Sequence, residues 1–143
     1  MTAIHTEIEI AAPASKVWDI LIATDRWSEW NPFARMQGHA AVGARVEITL
    51  TPPGKSAMGI RPRIVKLDPG HELRWLGHLG VPGLFDGEHS FRVTPAGAGR
   101  CRFEHFETFS GLLRAPILWL VGDSTRRGFE AMNIALKARA EGA

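Results

Sequence analysis

The sequence is short of most features that would assign it a chemistry on sight. Its 143 residues hold one cysteine, Cys101, so an internal disulfide framework and any site built from several thiolates are excluded. The longest strongly apolar run, Ala115 to Val121, falls far below the roughly 18 residues that a membrane span needs. There is no basic block either. The 17 Lys and Arg are scattered among 15 Asp and Glu, for a net charge of +2 and a pI near 9.1, which leaves no nucleic-acid footprint. The opening MTAIHTEIEIAAP has no basic start and no apolar stretch, so no secretory signal is expected. Fixed-period repeats, low-complexity tracts, a phosphate-binding glycine loop and an HExxH pattern are all missing. What remains is ordinary globular composition, 45% hydrophobic and 22% charged, at a length suited to one domain. The expectation is a single cytoplasmic domain over residues 1–143, monomeric or homodimeric, with no nucleic acid as partner.

The hydrophobic pattern then changes period along the chain. Ile4, Thr6, Ile8 and Ile10 share one parity against His5, Glu7 and Glu9, which predicts a half-buried strand. Pro13 suits the first position of a helix carrying Val17, Trp18 and Leu21. Thr24 or Asp25 would cap a second short helix with Trp27 and Trp30, ended by Asn31-Pro32. From about Ala34 to Phe109 the signals are strands parted by turn residues: Val46–Leu50, about Met58–Leu67, Leu73–Trp75, Phe85–Val93 and Cys101–Phe109. Asp68-Pro69-Gly70, Val81-Pro82-Gly83 and the Pro95–Gly99 loop break them, which reads as an antiparallel meander. From Ala115 or Pro116 to Ala140 a helix is predicted, with Leu118, Val121, Thr125, Phe129, Met132 and Leu136 as its apolar stripe. Gly122 and Gly128 inside it suggest either close backbone approach or simple tolerance.

A twisted sheet needs a cover for its apolar face, and one long helix is the natural candidate. A single helix does not fill the concavity of such a sheet. Large side chains (Trp75, Phe91, Phe103, Phe109, Phe129, Met132) fill the remainder or line a pocket there.

Ile10-Ala-Ala-Pro-Ala-Ser-Lys-Val-Trp-Asp-Ile-Leu21 resembles the opening of the START-like helix-grip superfamily, the SRPBCC proteins, which include polyketide cyclases/dehydrases and lipid-transport proteins. Trp27-Ser-Glu-Trp-Asn-Pro-Phe33 is similar to its tryptophan-rich second-helix motif. Leu84–Phe91 and Phe103–Leu113 resemble a bacterial subgroup. The resemblance implies an α+β helix-grip fold: a curved antiparallel sheet of about seven strands wrapped around a long C-terminal helix, with two short helices between strands 1 and 2. It also implies an internal cavity with Trp27, Trp30 and Phe33 at the mouth, although a Trp pair three residues apart is more often plain core than a ligand platform.

Polar residues on the inward parity are the anomaly. Pairing 93 with 101 and 91 with 103 would set His89 opposite His105 and Gly87 opposite Glu107, with opposed Cβ atoms about 5 Å apart. A two-residue slip keeps the same faces and stays open. His89, His105 and Glu107 are therefore expected to cluster in the floor of the cavity. Three roles compete: a satisfied hydrogen-bonded trio, a polar anchor in an apolar pocket, or acid–base or metal chemistry. Two imidazoles and a carboxylate match a donor set for Fe(II) or Zn(II). No ligand-spacing motif accompanies them, so neither a metal nor another cofactor is assigned. A histidine beside a carboxylate would serve as a general base for enolisation or dehydration, though nothing demands catalysis. Trp75, Phe91, Phe109, Thr125, Phe129 and Met132 complete the candidate ligand-binding set. Asn31 is read as a turn residue, Cys101 as inert packing, and His5, His39, His71 and His78 as surface or turn residues.

Three functions follow. The first is binding or transport of a small hydrophobic molecule such as a lipid, quinone or polyketide-like compound. The second is a cyclase/aromatase-type enzyme using the His/Glu cluster. The third, by resemblance to a chaperone activator domain, is a protein-interaction module that would expose a large apolar patch.

Overall fold

Strand β1 (Ala3–Ile10) follows from its alternation: Ile4, Thr6 and Ile10 are buried while His5, Glu7 and Glu9 are exposed. It opens the computed structural model, which describes residues 3–142. Helix α1 (Ala14–Ile22) buries Val17, Trp18 and Leu21 on one face. Pro13 stands at the N-cap and not inside the helix, with ψ at 148°. Its carbonyl starts the helix by accepting the N–H groups of Lys16 and Val17 at 3.0 and 3.2 Å. The second helical segment, Thr24–Glu29, is a 3₁₀ turn with Ala23 at its N-cap and no side-chain capping bond. Neither Thr24 nor Asp25 caps it, and Thr24 is buried.

Eight strands follow the expected meander with β1 at its far edge. β2 (Ala34–Gln37), β3 (Glu47–Leu50) and β4 (Met58–Ile60) form one antiparallel ladder. β5 (Arg63–Asp68), β6 (Glu72–His78), β7 (Asp86–Pro95) and β8 (Cys101–Ser110) form the other with β1, in the order β1-β8-β7-β6-β5. The single strand expected from Met58 to Leu67 is thus two. Pro62 lies at the break, where it has no N–H to give a ladder. Its carbonyl still accepts Val46 N–H at 3.0 Å, Ile64 N–H reaches Ala44 O at 2.8 Å, and Arg45 bridges to Arg63. The two ladders therefore continue round a corner as one curved wrap.

The β7–β8 register departs from the pairing first expected by two residues. Phe91 faces His105, His89 faces Glu107 and Gly87 faces Phe109. The reason is a tighter connection: pairing runs out to Pro95 and Cys101, and Ala96 N–H bonds Arg100 O at 3.0 Å to close the loop. Side-chain parity survives the shift, so the same residues face inward.

Helix α2 (Arg114–Glu141) begins one or two residues earlier than its pattern suggests. Pro116 falls in the first turn, where its missing N–H has no partner to lose. At the junction, Gly111 has φ of 109°, and a Cβ there would overlap the Leu84 carbonyl. The N–H groups of Leu112 and Leu113 bond Gly83 O and Leu84 O at 3.0 and 2.8 Å. At the other end Lys137 Nζ donates to Glu9 O at 3.1 Å, and Glu141 accepts Ala11 N–H at 2.7 Å. These bonds lay α2 along β1. Gly128 proves to be the close approach, because a Cβ there would overlap the Phe33 ring. Gly122 meets nothing beyond its own helix.

Candidate functional site

The space between sheet and helix is packed at one end and hollow at the other. Around Gly128, the rings of Phe33, Phe91, Phe103 and Phe129 interlock with Met132 and Leu136, all essentially buried. Towards the start of α2 the filling stops. A half-open hollow of about 110 Å³ lies there, walled by Leu50 and Ile60 of the smaller ladder, Trp75, Phe85 and Phe109, and Leu118, Val121 and Thr125 of α2. Met58 and Leu79, both exposed, belong to its rim. Glu107 brings a carboxylate to this wall next to Gly87. A Cβ at position 87 would overlap Glu107 Oε2, so the strand glycine makes the room for the acid.

Behind Glu107 a chain of hydrogen bonds runs back into the packed end from His89, whose Nδ1 lies 3.3 Å from Glu107 Oε1. His89 Nε2 meets His105 Nε2 at 2.7 Å, and His105 Nδ1 meets Asn133 Oδ1 at 3.0 Å. Asn133 Nδ2 donates to Thr6 Oγ1 at 2.9 Å, and Thr6 Oγ1 donates to the His105 carbonyl at 2.7 Å. That carbonyl is an acceptor only, so the direction of every bond follows from it. The Thr6 hydroxyl has one proton and gives it away; Asn133 must therefore donate to Thr6 and accept from His105 Nδ1–H. His105 Nε2 is then a bare acceptor, and His89 Nε2–H donates to it. Oε2 of Glu107 faces the hollow as an acceptor.

Electrostatics agree with this direction. Burial, and then the neighbouring His89, hold the His105 pKa well below 6.5 against the pull of Asn133 and the Phe129 carbonyl. The imidazole stacks on Phe129 at 4.1 Å between centroids and 10° between planes. His89 lies against Trp75, Phe91 and Phe129 at 4.7–4.9 Å. The Phe129 ring helps to strip water from the His105 imidazole and so disfavours its charged form.

Four of the twelve candidate ligand-binding residues line the hollow: Trp75, Glu107, Phe109 and Thr125. Trp27, Trp30 and Phe33 are not at its mouth. Trp27 is buried against Trp75 and Phe91 with Nε1 bonded to Leu21 O at 2.9 Å, and Phe33 packs on Phe129. Trp30 lies with α1 beside a separate surface recess near Arg26 and Arg139. The area that large aromatics bury explains this: in the interior they become the filling. Phe91, Phe129 and Met132 belong to that filling too, while His89 and His105 stand behind Glu107, not on the wall. Sequence reasoning missed Asn133, which lies four residues after Phe129 on the buried arc of α2. It also gave no role to Thr6, though its inward parity was visible. His78, read as a surface or turn residue, is in β6 on the rim, its Nδ1 2.7 Å from Asp86 Oδ1.

The remaining candidates fall outside the site. The donor set of two imidazoles and a carboxylate is not assembled for a metal, because the facing Nε2 atoms are bonded to each other. Among the described residues His5, Glu7 and Glu104 bring donor atoms within 4.8 Å, but His5 and Glu7 are exposed and His5 is already bonded to Glu104. Burial pushes the Cys101 thiol pKa up, against reactivity. Asn31 Oδ1 accepts the N–H groups of Phe33 and Ala34, as a turn residue should. Apolar side chains are also exposed near the start of α2, with Leu112 at 83% and Trp119 at 85%. No helix among the described residues is long and apolar enough to cross a membrane.

Comparison with known proteins places this geometry in a wider group. Norcoclaurine synthase from Thalictrum flavum, solved in complex with dopamine and hydroxybenzaldehyde, superposes with a TM-score of 0.75 at 18% identity, covering 98% of this chain and 86% of its own. Zhui aromatase/cyclase from Streptomyces sp. R1128 gives a TM-score of 0.74 at 16% identity, over 97% of this chain and 93% of its own. Protein Ms6760 from Mycobacterium smegmatis gives 0.76 at 20% identity, over 96% and 90%. Identities this low establish the fold and nothing finer. Among curated proteins no sequence matches. The family described as polyketide cyclase / dehydrase and lipid transport matches residues 1–141, nearly the whole length, and the chain belongs to that family.

Proposed function

We propose that the protein binds a small hydrophobic molecule in the hollow beside the start of α2, with Glu107 as its polar anchor and His89 holding that anchor in place. The observation that carries this reading is the contrast within one wall: side chains apolar but for Thr125 and His78, and a single carboxylate backed by a buried hydrogen-bond chain. Binding sites for small molecules place few polar groups among many apolar ones. The family's description, which includes lipid transport, supports the same class of ligand.

The test is to fill the hollow. Leu118→Trp, with its new ring directed into the space, should weaken binding of a naphthalene-sized ligand about tenfold or more, since a ligand that keeps no apolar contact keeps little affinity. Amide NMR titration reads the affinity, and a retained melting temperature shows that the fold survives. Unchanged affinity in the filled variant would move the site elsewhere.

A second reading rests on the contact between His89 Nδ1 and Glu107 Oε1. A carboxylate facing the ligand and backed by an imidazole is a competent general base for enolisation or dehydration, and the family's name includes cyclases and dehydrases. Here Glu107 would take the proton and His89 would stabilise the result. Glu107→Gln would then abolish turnover while the fold persists, whereas a pure carrier has no turnover to lose.

A further inference from the structure

We infer that the hollow selects its ligand by the polarity of the head group: it takes an aromatic or alicyclic body bearing a hydrogen-bond donor, a hydroxyl or an ammonium, and rejects the matching carboxylate and the acceptor-only quinone. The inference rests on the ligand-binding reading above and deepens it.

The argument is one of donors and acceptors. Glu107 Oε1 is engaged by His89 Nδ1. Oε2, lying over Gly87, has no protein donor among the described residues. The acceptor-only carbonyl at the far end of the chain makes His89 Nε2 the donor to His105, so His89 turns its Nδ1 to Oε1 and leaves Oε2 to the hollow. A ligand therefore meets an acceptor at Oε2, and a hydroxyl or ammonium satisfies it. A carboxylate ligand would need a donor or a cation in return. No lysine or arginine lines the hollow. The other polar wall residues are Thr125 and His78, and His78 is matched by Asp86, whose carboxylate also accepts Gly83 N–H. Two carboxylates facing each other across an apolar space repel, and no lysine or arginine on the wall offsets them. A quinone brings Oε2 no donor, and the oxygen set against it loses whatever hydration it had.

One ring system with four heads tests this. Naphthalene, 2-naphthol, 2-naphthylmethylamine, 2-naphthoate and 1,4-naphthoquinone are titrated into the full chain at about pH 8 and followed by amide NMR. The naphthol and the amine should bind about tenfold tighter than naphthalene, the scale of one hydrogen bond to a charged acceptor. The naphthoate and the quinone should bind no tighter than naphthalene. Glu107→Leu, which removes the acceptor, should bring the two donors to within about threefold of naphthalene, and Gly87→Ala, which displaces the carboxylate, should do the same if the leucine variant unfolds. Naphthoate binding as tightly as naphthol, or a donor preference that survives both substitutions, would overturn the inference while leaving the hollow as a binding site. Failure of all five, unsubstituted naphthalene included, would instead remove the binding reading beneath it.

Discussion

Two glutamates on the strands either side of β7 show how differently one sheet uses the same side chain. Glu72 of β6 is 2% exposed and saturated: Arg74 Nη2 lies at 2.6 Å, Lys66 Nζ at 3.0 Å and Arg92 Nε at 3.6 Å. Burial pushes its pKa up, but Arg74 and Lys66 outweigh burial and hold it below the ordinary 4.5. Glu107 of β8 is 16% exposed and has one imidazole on one oxygen. A carboxylate whose valences are all met by its own chain is structural. One left half-met at the wall of an apolar hollow is available to something else. The comparison breaks first at Glu72. Glu72→Gln should cost about 2 kcal/mol in chemical denaturation, towards the low end for a broken buried pair because the cations it leaves relax into water. The carboxylate's contribution is present above pH 4.5 and lost as pH falls through its lowered folded value. A loss below about 0.5 kcal/mol would mean that Glu72 is no more committed to the fold than Glu107.

The outline of this contrast was legible in the sequence, and its detail was not. Period-two and period-3.6 patterns located the strands and α2, and the motif resemblance gave the helix-grip fold now seen. Inward parity alone brought His89, His105 and Glu107 to one region, even with the register off by two, because a two-residue shift preserves faces. Which inward residues border space and which fill it depends on volumes meeting in three dimensions. The approach of Phe33 to Gly128 packs one end solid, and no periodicity carries that information. Asn133 is equally invisible: a lone polar residue on an apolar arc acquires meaning only when His105 arrives opposite it from 28 residues away.

The proton direction along the chain has a consequence in solution. His105 stays neutral in the fold, its pKa held well below 6.5 by burial and by His89. An unfolded chain protonates this residue as pH falls through 6.5 and the folded chain does not. The unfolded state then binds more protons, so stability drops towards acid, by at most about 1.4 kcal/mol per pH unit for one group. Above pH 6.5 the residue contributes no slope. The window runs from 6.5 down to the carboxylate range near 4.5, where Glu72 begins its own loss. Urea denaturation at intervals through this window should show a steeper fall for the native chain than for His105→Phe. Equal slopes would mean that His105 carries a charge in the fold, and the bond between His89 and His105 would run the other way.

The smallest effect is the most discriminating. Glu107→Gln should change stability by no more than about 0.5 kcal/mol in either direction. In the variant the amide turns its Nε2–H to His89 Nδ1, and every bond back to Thr6 keeps its direction. Nothing buried is left unpaired, and the carboxylate's second oxygen had no protein partner to lose. Glu107→Leu removes the donor as well and strands Nδ1 beside an apolar wall, so it should cost about 1–2 kcal/mol more than the glutamine variant. A glutamine variant as damaged as Glu72→Gln would show that Glu107 holds the fold together after all, and the distinction between a saturated carboxylate and an available one would be lost.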